Sequence, residues 1–167
     1  MIRVLLADDH PVVRAGLRGM LAAEADIEVA GEAASGPEAV ARARTGGFDV
    51  ILMDLRMPGG DGVAATEHIL AADPGARVLI LTTYETDADI LRAVEAGATG
   101  YLLKDATPAE LAGAVRAAAR GETVLAPSVA ERLISHVRRP PRESLSARET
   151  EVLAHLPWWI YLLMPTL

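Results

Sequence analysis

Five polar residues each close a short aliphatic run, and their types suit phosphoryl chemistry. Asp8 and Asp9 follow Ile2–Ala7 (IRVLLA), and Asp54 follows Phe48–Met53 (FDVILM). Thr82 lies at the polar end of Arg77–Thr83 (RVLILTT), and Lys104 follows Gly100–Leu103 (GYLL). Three carboxylates brought together repel one another and call for a cation. Oxygen donors on an open polar edge suit Mg²⁺, which keeps several waters and takes one or two carboxylates plus phosphate oxygens. Lys104 is the only lysine in a chain whose other fifteen basic side chains are arginine. A compact ammonium serves a single phosphoryl oxygen better than a planar guanidinium does, which explains the exception.

Three neighbours read less sharply. The Thr82 hydroxyl would donate to a phosphoryl oxygen, but a β-branched residue also belongs in a strand on packing grounds alone. Tyr101, one step beyond Gly100, reads equally as a half-buried core aromatic. His10 adjoins the acidic pair and reads as a helix-start residue, since carboxylates already satisfy a hard cation.

These residues need elements to bring them together. Short apolar runs alternate with stretches whose apolar residues recur at helical spacing. The predicted strands are Ile2–Ala7, Ile27–Ala30, Phe48–Met53, Arg77–Thr83 and Gly100–Leu103. The predicted helices begin at His10, at the SGPEAV segment with Ser35 or Gly36 as cap, at Asp61, at Asp87 and at Thr107. The strands are apolar nearly throughout, as expected when both faces of a sheet are covered. The pattern predicts an α/β fold, a doubly wound five-stranded parallel sheet. In such a sheet ligands bind at the carboxyl ends of the strands, where the five polar residues fall.

Composition sets the outer limits. The chain has 167 residues, 51% hydrophobic and 23% charged, which is the balance of a globular protein. Having no cysteine excludes disulfides, thiolate metal sites and thiol catalysis. No early apolar run resembles a signal peptide and no apolar stretch reaches transmembrane length, so a cytoplasmic protein without a membrane contact is expected. Residues 1–120 carry eleven basic and eighteen acidic side chains, a net −7, whereas residues 121–167 carry five of each. An acidic main domain repels nucleic acid, leaving only the neutral remainder for any DNA contact.

The expected organisation is a domain over 1–121, a linker over 122–143 with a short helix at Val129–Val137, and a further segment over 144–167. The linker carries the cluster Arg138-Arg139-Pro140-Pro141-Arg142. In the last segment Ser146 and Glu149 form a capping-box pattern at the start of a helix. Pro157 then breaks it, and the closing stretch WWIYLLMPTL has no charge.

Taken together, LLADDHPVVRAGL, VILMDLRMPGGDG, LILTTYE and GATGYLLKD resemble the receiver domain of bacterial two-component response regulators, in the NarL/FixJ (LuxR-type) family. The resemblance covers residues 1 to about 121 and implies a flavodoxin-like receiver. It makes Asp54 the phosphoacceptor for a sensor histidine kinase or a small phosphodonor. Asp8, Asp9, Asp54 and the backbone carbonyl of Arg56 would hold Mg²⁺. Thr82 and Lys104 would bind the acyl phosphate, and Tyr101 would switch rotamer with Thr82. A homodimer is also implied. ESLSARETEVLAHL resembles the first helix of a LuxR-type helix-turn-helix domain, but no recognition segment follows. Residues 144–167 therefore read as a truncated DNA-binding remnant, with transcription control as the family's output and DNA binding by this chain doubtful. Two alternatives accompany this reading. One is a single-domain regulator acting by phosphorylation-dependent protein contact. The other is an aspartyl phosphatase of the haloacid-dehalogenase type, in which an acid would stand where Arg56 does.

Overall fold

The computed structural model describes residues 1–59, 61–83 and 86–138. Its strands are β1 (Ile2–Ala7), β2 (Ile27–Ala33), β3 (Val50–Met53), β4 (Val78–Thr82), β5 (Gly100–Leu103) and β6 (Val124–Leu125). They form one sheet in the order β2-β1-β3-β4-β5-β6, and each neighbouring pair is parallel. The chain moves outward from β1 to β2, then returns to lay β3 on the other side of β1. That reversal opens a crevice between the carboxyl ends of β1 and β3.

Helices α1 (Pro11–Ala22), α2 (Gly36–Thr45), α3 (Gly62–Ala72), α4 (Asp87–Glu95), α5 (Pro108–Ala119) and α6 (Pro127–Arg138) cover the sheet. Strand residues alternate between two cores. Val4, Leu6, Val50, Leu52, Leu79 and Leu81 pack toward α1 and α5, with Leu17, Leu21, Leu111 and Val115. Leu5, Ile51, Met53, Val78, Ile80 and Tyr101 pack on the other face with Ala39, Ile69, Ile90 and Leu133. Both faces are covered by buried side chains, which is why the strands show no polar alternation.

Local chemistry sets the helix starts. Ser35 accepts from the Glu38 amide at 3.2 Å and Asp61 from the Ala64 amide at 2.8 Å. Thr107 and Glu110 complete a reciprocal capping box, and so do Thr86 and Asp89 at the start of α4.

The sheet has six strands where the sequence predicts five. A two-residue strand carries no readable period, and β6 is recruited by the free edge of β5. Gly100 permits the approach, because a Cβ there would stand 2.4 Å from the Val124 carbonyl oxygen. The span expected as a linker thus begins with β6 and a twelve-residue helix, α6. Val129 and Leu133, one turn apart, are buried in the same core as Ile90 and Tyr101, so α6 closes over α4. The expected segment over 144–167 lies outside the described residues, as do residues 139–143. Among the described residues, no helix is long and apolar enough to cross a membrane.

Candidate functional site

Parallel pairing does most of the positioning. Ala7 is in register with Met53, so Asp8 and Asp54 leave adjacent strands at the same level. The Asp54 amide donates to the Ala7 carbonyl at 2.9 Å, and the Asp8 amide to the Ala33 carbonyl at 3.0 Å. Thr82 pairs with Leu103, and the Lys104 amide donates to the Thr82 carbonyl at 2.8 Å. Asp8, Asp54 and Thr82 are all buried, which is unusual for such polar residues.

Lys104 is the bridge between the carboxylates. Its Nζ lies 2.6 Å from Asp8 Oδ2 and 3.1 Å from Asp54 Oδ2, with its side chain only 9% exposed. Burial pushes the Asp54 carboxyl above the usual carboxylate range; Lys104 pulls it down, and Asp8 adds to the rise. Burial also works against the charge on Lys104, but the hydrogen bond to Asp8 and the charge of Asp54 outweigh it and hold the ammonium above its ordinary value.

The sequence-predicted residues do not all play equal parts here. Asp8, Asp9 and Asp54 come together, each offering a donor atom within 4.8 Å of the others, and His10 joins them. From the sequence His10 reads as a helix-start residue. It does hold the N-cap position of α1, yet its side chain makes no cap hydrogen bond. Thr82 stands across the site at the end of β4. Tyr101 lies two residues back from Leu103 on β5, in register with Ile80, and is a core residue at 1% exposed.

Arg56 occupies the loop after Asp54. Its amide points at Asp54 Oδ1 at 3.5 Å, a weak contact, while its guanidinium reaches α4 and bonds Asp89 Oδ2 at 3.0 Å. A second pair, Arg92 to Asp61 at 2.8 Å, ties α4 to the start of α3. Neither link is legible in the sequence, where opposite charge is the only signal and does not specify a partner thirty residues away.

Three acids and one lysine leave the cluster with two uncompensated negative charges, a deficit that a divalent cation matches. Asp9 Oδ1 is buried and receives no hydrogen bond. Three carboxylates, one of them with a buried oxygen that accepts no hydrogen bond, fit Mg²⁺.

A parallel sheet with its switch point between β1 and β3, and a carboxylate cluster bridged by a lysine at that point, defines a doubly wound α/β domain with an acidic site at its switch point. The family model described as the response regulator receiver domain matches residues 4–116. The transcriptional regulatory protein LiaR of Bacillus subtilis (strain 168) is 46% identical over 158 residues, covering 92% of this chain and 75% of LiaR. Among solved structures, the response regulator ChrA of a heme-sensing two-component system is 54% identical with a TM-score of 0.69, covering 92% of this chain and 73% of that one. A LuxR-family two-component response regulator from Aurantimonas sp. SI85-9A1 is 39% identical with a TM-score of 0.78, covering 82% and 98%. This chain belongs to the two-component response regulators, in the LuxR-type branch that controls transcription.

Proposed function

We propose that Asp54 is the phosphoacceptor of this response regulator and that Asp8, Asp9, Asp54 and the backbone carbonyl of Arg56 hold Mg²⁺. The observation that carries the reading is the buried Asp54 carboxylate, held at a strand end 3.1 Å from the chain's only lysine. Bound Mg²⁺ supplies charge neutralisation for the incoming phosphoryl oxygens. The chain's own residues do the rest. An Asp54 oxygen bonds to phosphorus as the donor's P–N bond (a histidine kinase) or P–O bond (a small phosphodonor) breaks. Lys104 then moves from the carboxylate it pairs with to a phosphoryl oxygen, a short step because its Nζ already bridges Asp8 and Asp54.

Thr82 is the second phosphoryl partner, donating its hydroxyl from the end of β4. Drawing Thr82 inward frees space beside Tyr101 and biases the α4–β5 surface, which turns a local charge change into a different contact surface. Tyr101 shares a core with Val129 and Leu133 of α6, so a change at Tyr101 is felt at α6.

The partners assigned on this reading are a sensor histidine kinase and a second copy of the chain, in the cytoplasm, with transcription control as the output. Turnover as a phosphatase is not assigned, because a basic residue, Arg56, stands where a second acid would be needed. The test is phosphate uptake. Incubated with acetyl phosphate and Mg²⁺, the wild type gains one phosphoryl group by intact mass and Asp54→Ala gains none. Equal uptake by both removes Asp54 from the role.

A further inference from the structure

We propose that His10 is a nitrogen donor at the cation site, so that Ni²⁺, Co²⁺ or Zn²⁺ is held by one more protein ligand than Mg²⁺ is. The proposal rests on the reading of Asp8, Asp9 and Asp54 as a cation site.

The first support is what the side chain does not do. At an N-cap the side chain ordinarily accepts from an amide of the first turn. His10 holds that position with extended backbone, and its ring makes no such bond. The ring is turned back over the two aspartates instead. Its Nδ1 lies 3.2 Å from Asp8 Oδ1 and 3.0 Å from Asp9 Oδ1.

The second support is the nature of these approaches. The one to Asp8 is a hydrogen bond. The shorter one brings the same ring nitrogen to a buried oxygen of Asp9, so one nitrogen faces an oxygen of each carboxylate. Donors 2.1 Å from one ion and at right angles lie about 3.0 Å apart, which is the separation of both pairs. Opposite corners of the same octahedron are about 4.2 Å apart, and all four residues offer atoms within 4.8 Å of one another.

The third support is access and chemistry. The His10 side chain is 63% exposed, so a hydrated ion reaches it and no packing holds the ring against small adjustment. Asp8 Oδ2 is occupied by Lys104, which leaves Oδ1 as the Asp8 atom facing the ring. Mg²⁺ prefers oxygen and keeps its waters, so it leaves the imidazole unused. Imidazole suits nickel, cobalt, copper and zinc, for which a nitrogen donor adds affinity. His10 is therefore a specificity-determining residue of the site.

Calorimetric titration of the full chain with Mg²⁺ and, separately, with Ni²⁺ tests this in the wild type, His10→Ala and Asp9→Asn. Losing a direct ligand costs at least as much as losing an outer partner, so His10→Ala weakens Ni²⁺ binding by roughly tenfold or more. Its Mg²⁺ affinity stays close to wild type, while Asp9→Asn weakens both ions. The chain's other histidines also attract Ni²⁺, and binding that survives Asp9→Asn is assigned to them. Ni²⁺ affinity unchanged in His10→Ala overturns the proposal, as does an equal loss for both ions, which would make His10 an electrostatic neighbour. Mg²⁺ binding that is absent from the wild type, or indifferent to Asp9→Asn, overturns the underlying cation-site reading as well. Loss of a nitrogen-dependent Co²⁺ absorption band in His10→Ala is the spectroscopic counterpart.

Discussion

Replacing Gly62 by alanine adds one methyl group at the point where α3 starts against the loop that follows β3 and carries Asp54. Gly62 donates its amide to the Leu55 carbonyl at 2.7 Å. A Cβ there would stand 2.0 Å from the Asp54 carbonyl oxygen and 2.9 Å from both Asp54 C and Leu55 Cα. All three obstacles are backbone, so no side chain can rotate away. Reaching ordinary contact at 3.4 Å requires the helix start and the Asp54 backbone to separate by about 1.4 Å. Overpacking of this kind costs about 1–3 kcal/mol and sometimes more, and a helix-propensity gain of at most about 1 kcal/mol offsets little of it. We expect Gly62→Ala to lose about 2 kcal/mol. Gly16→Ala is the matched control: it makes the same chemical change in α1, where a Cβ meets nothing within 4 Å, and it gains about 0.5–1 kcal/mol. The assay is urea unfolding followed by circular dichroism, with midpoints compared at constant slope. Because misplacement by about 1 Å can cost on the order of a hundredfold in rate, phosphate uptake from acetyl phosphate falls at least about tenfold in Gly62→Ala only. Equal midpoints for the two variants, or unchanged uptake in Gly62→Ala, would refute the packing of α3 on Asp54.

Further predictions follow from the same contacts. Lys104→Met strands Asp8 and Asp54 as buried carboxylates and lowers stability by about 3–5 kcal/mol without Mg²⁺. Mg²⁺ restores part of this loss by binding the folded state, so a Mg²⁺-insensitive deficit contradicts the charge balance given above. Leu133→Ala in α6 removes a side chain that is 2% exposed and costs about 2–5 kcal/mol, whereas exposed Glu131→Ala costs less than about 0.5 kcal/mol. Equal midpoints would mean that α6 is not docked. Arg116 bonds Asp26 through two nitrogens, both at 2.8 Å, and this holds the Asp26 carboxyl at about 2. A depressed carboxyl stabilises the fold above its ordinary value of 3.8, and that contribution disappears as pH falls toward 2. Arg116→Ala should therefore return Asp26 toward 3.8 in an NMR titration and make the acid limb of stability shallower. An unmoved Asp26 titration would contradict the pairing.

Much of the site was legible because its residues sit at strand ends, and strand ends are marked by the change from aliphatic to polar. Asp8, Asp9, Asp54, Thr82 and Lys104 each follow such a change. Parallel order then requires their convergence, since all parallel strands end on one side of the sheet. Ser35, Asp61 and Thr107 were legible as caps for an equally local reason. Contacts between sequence-distant side chains were not. The Arg56–Asp89 and Arg92–Asp61 pairs depend on how α4 lies against the loop after β3, which no periodicity encodes. Strand β6 escaped because two residues have no period, and its place depends on Gly100 admitting the Val124 carbonyl. Helix α6 was foreshadowed at Val129–Val137, but its docking requires knowing that Ile90 and Tyr101 leave a face for Val129 and Leu133. His10 was legible as a helix-start residue, and it does stand at the N-cap of α1; the approach of its ring to Asp8 and Asp9 was not legible, because it depends on a side-chain rotamer.

The position of the phosphoryl bond tests the central claim most directly. Borohydride reduces an aspartyl phosphate to homoserine and leaves unmodified aspartate intact, so peptide mass mapping of the reduced chain reports the acceptor. After acetyl phosphate and Mg²⁺, homoserine is expected at position 54 alone, with none when Mg²⁺ is chelated. Homoserine at position 8 or 9, or phosphate uptake that leaves position 54 unmodified, would contradict it.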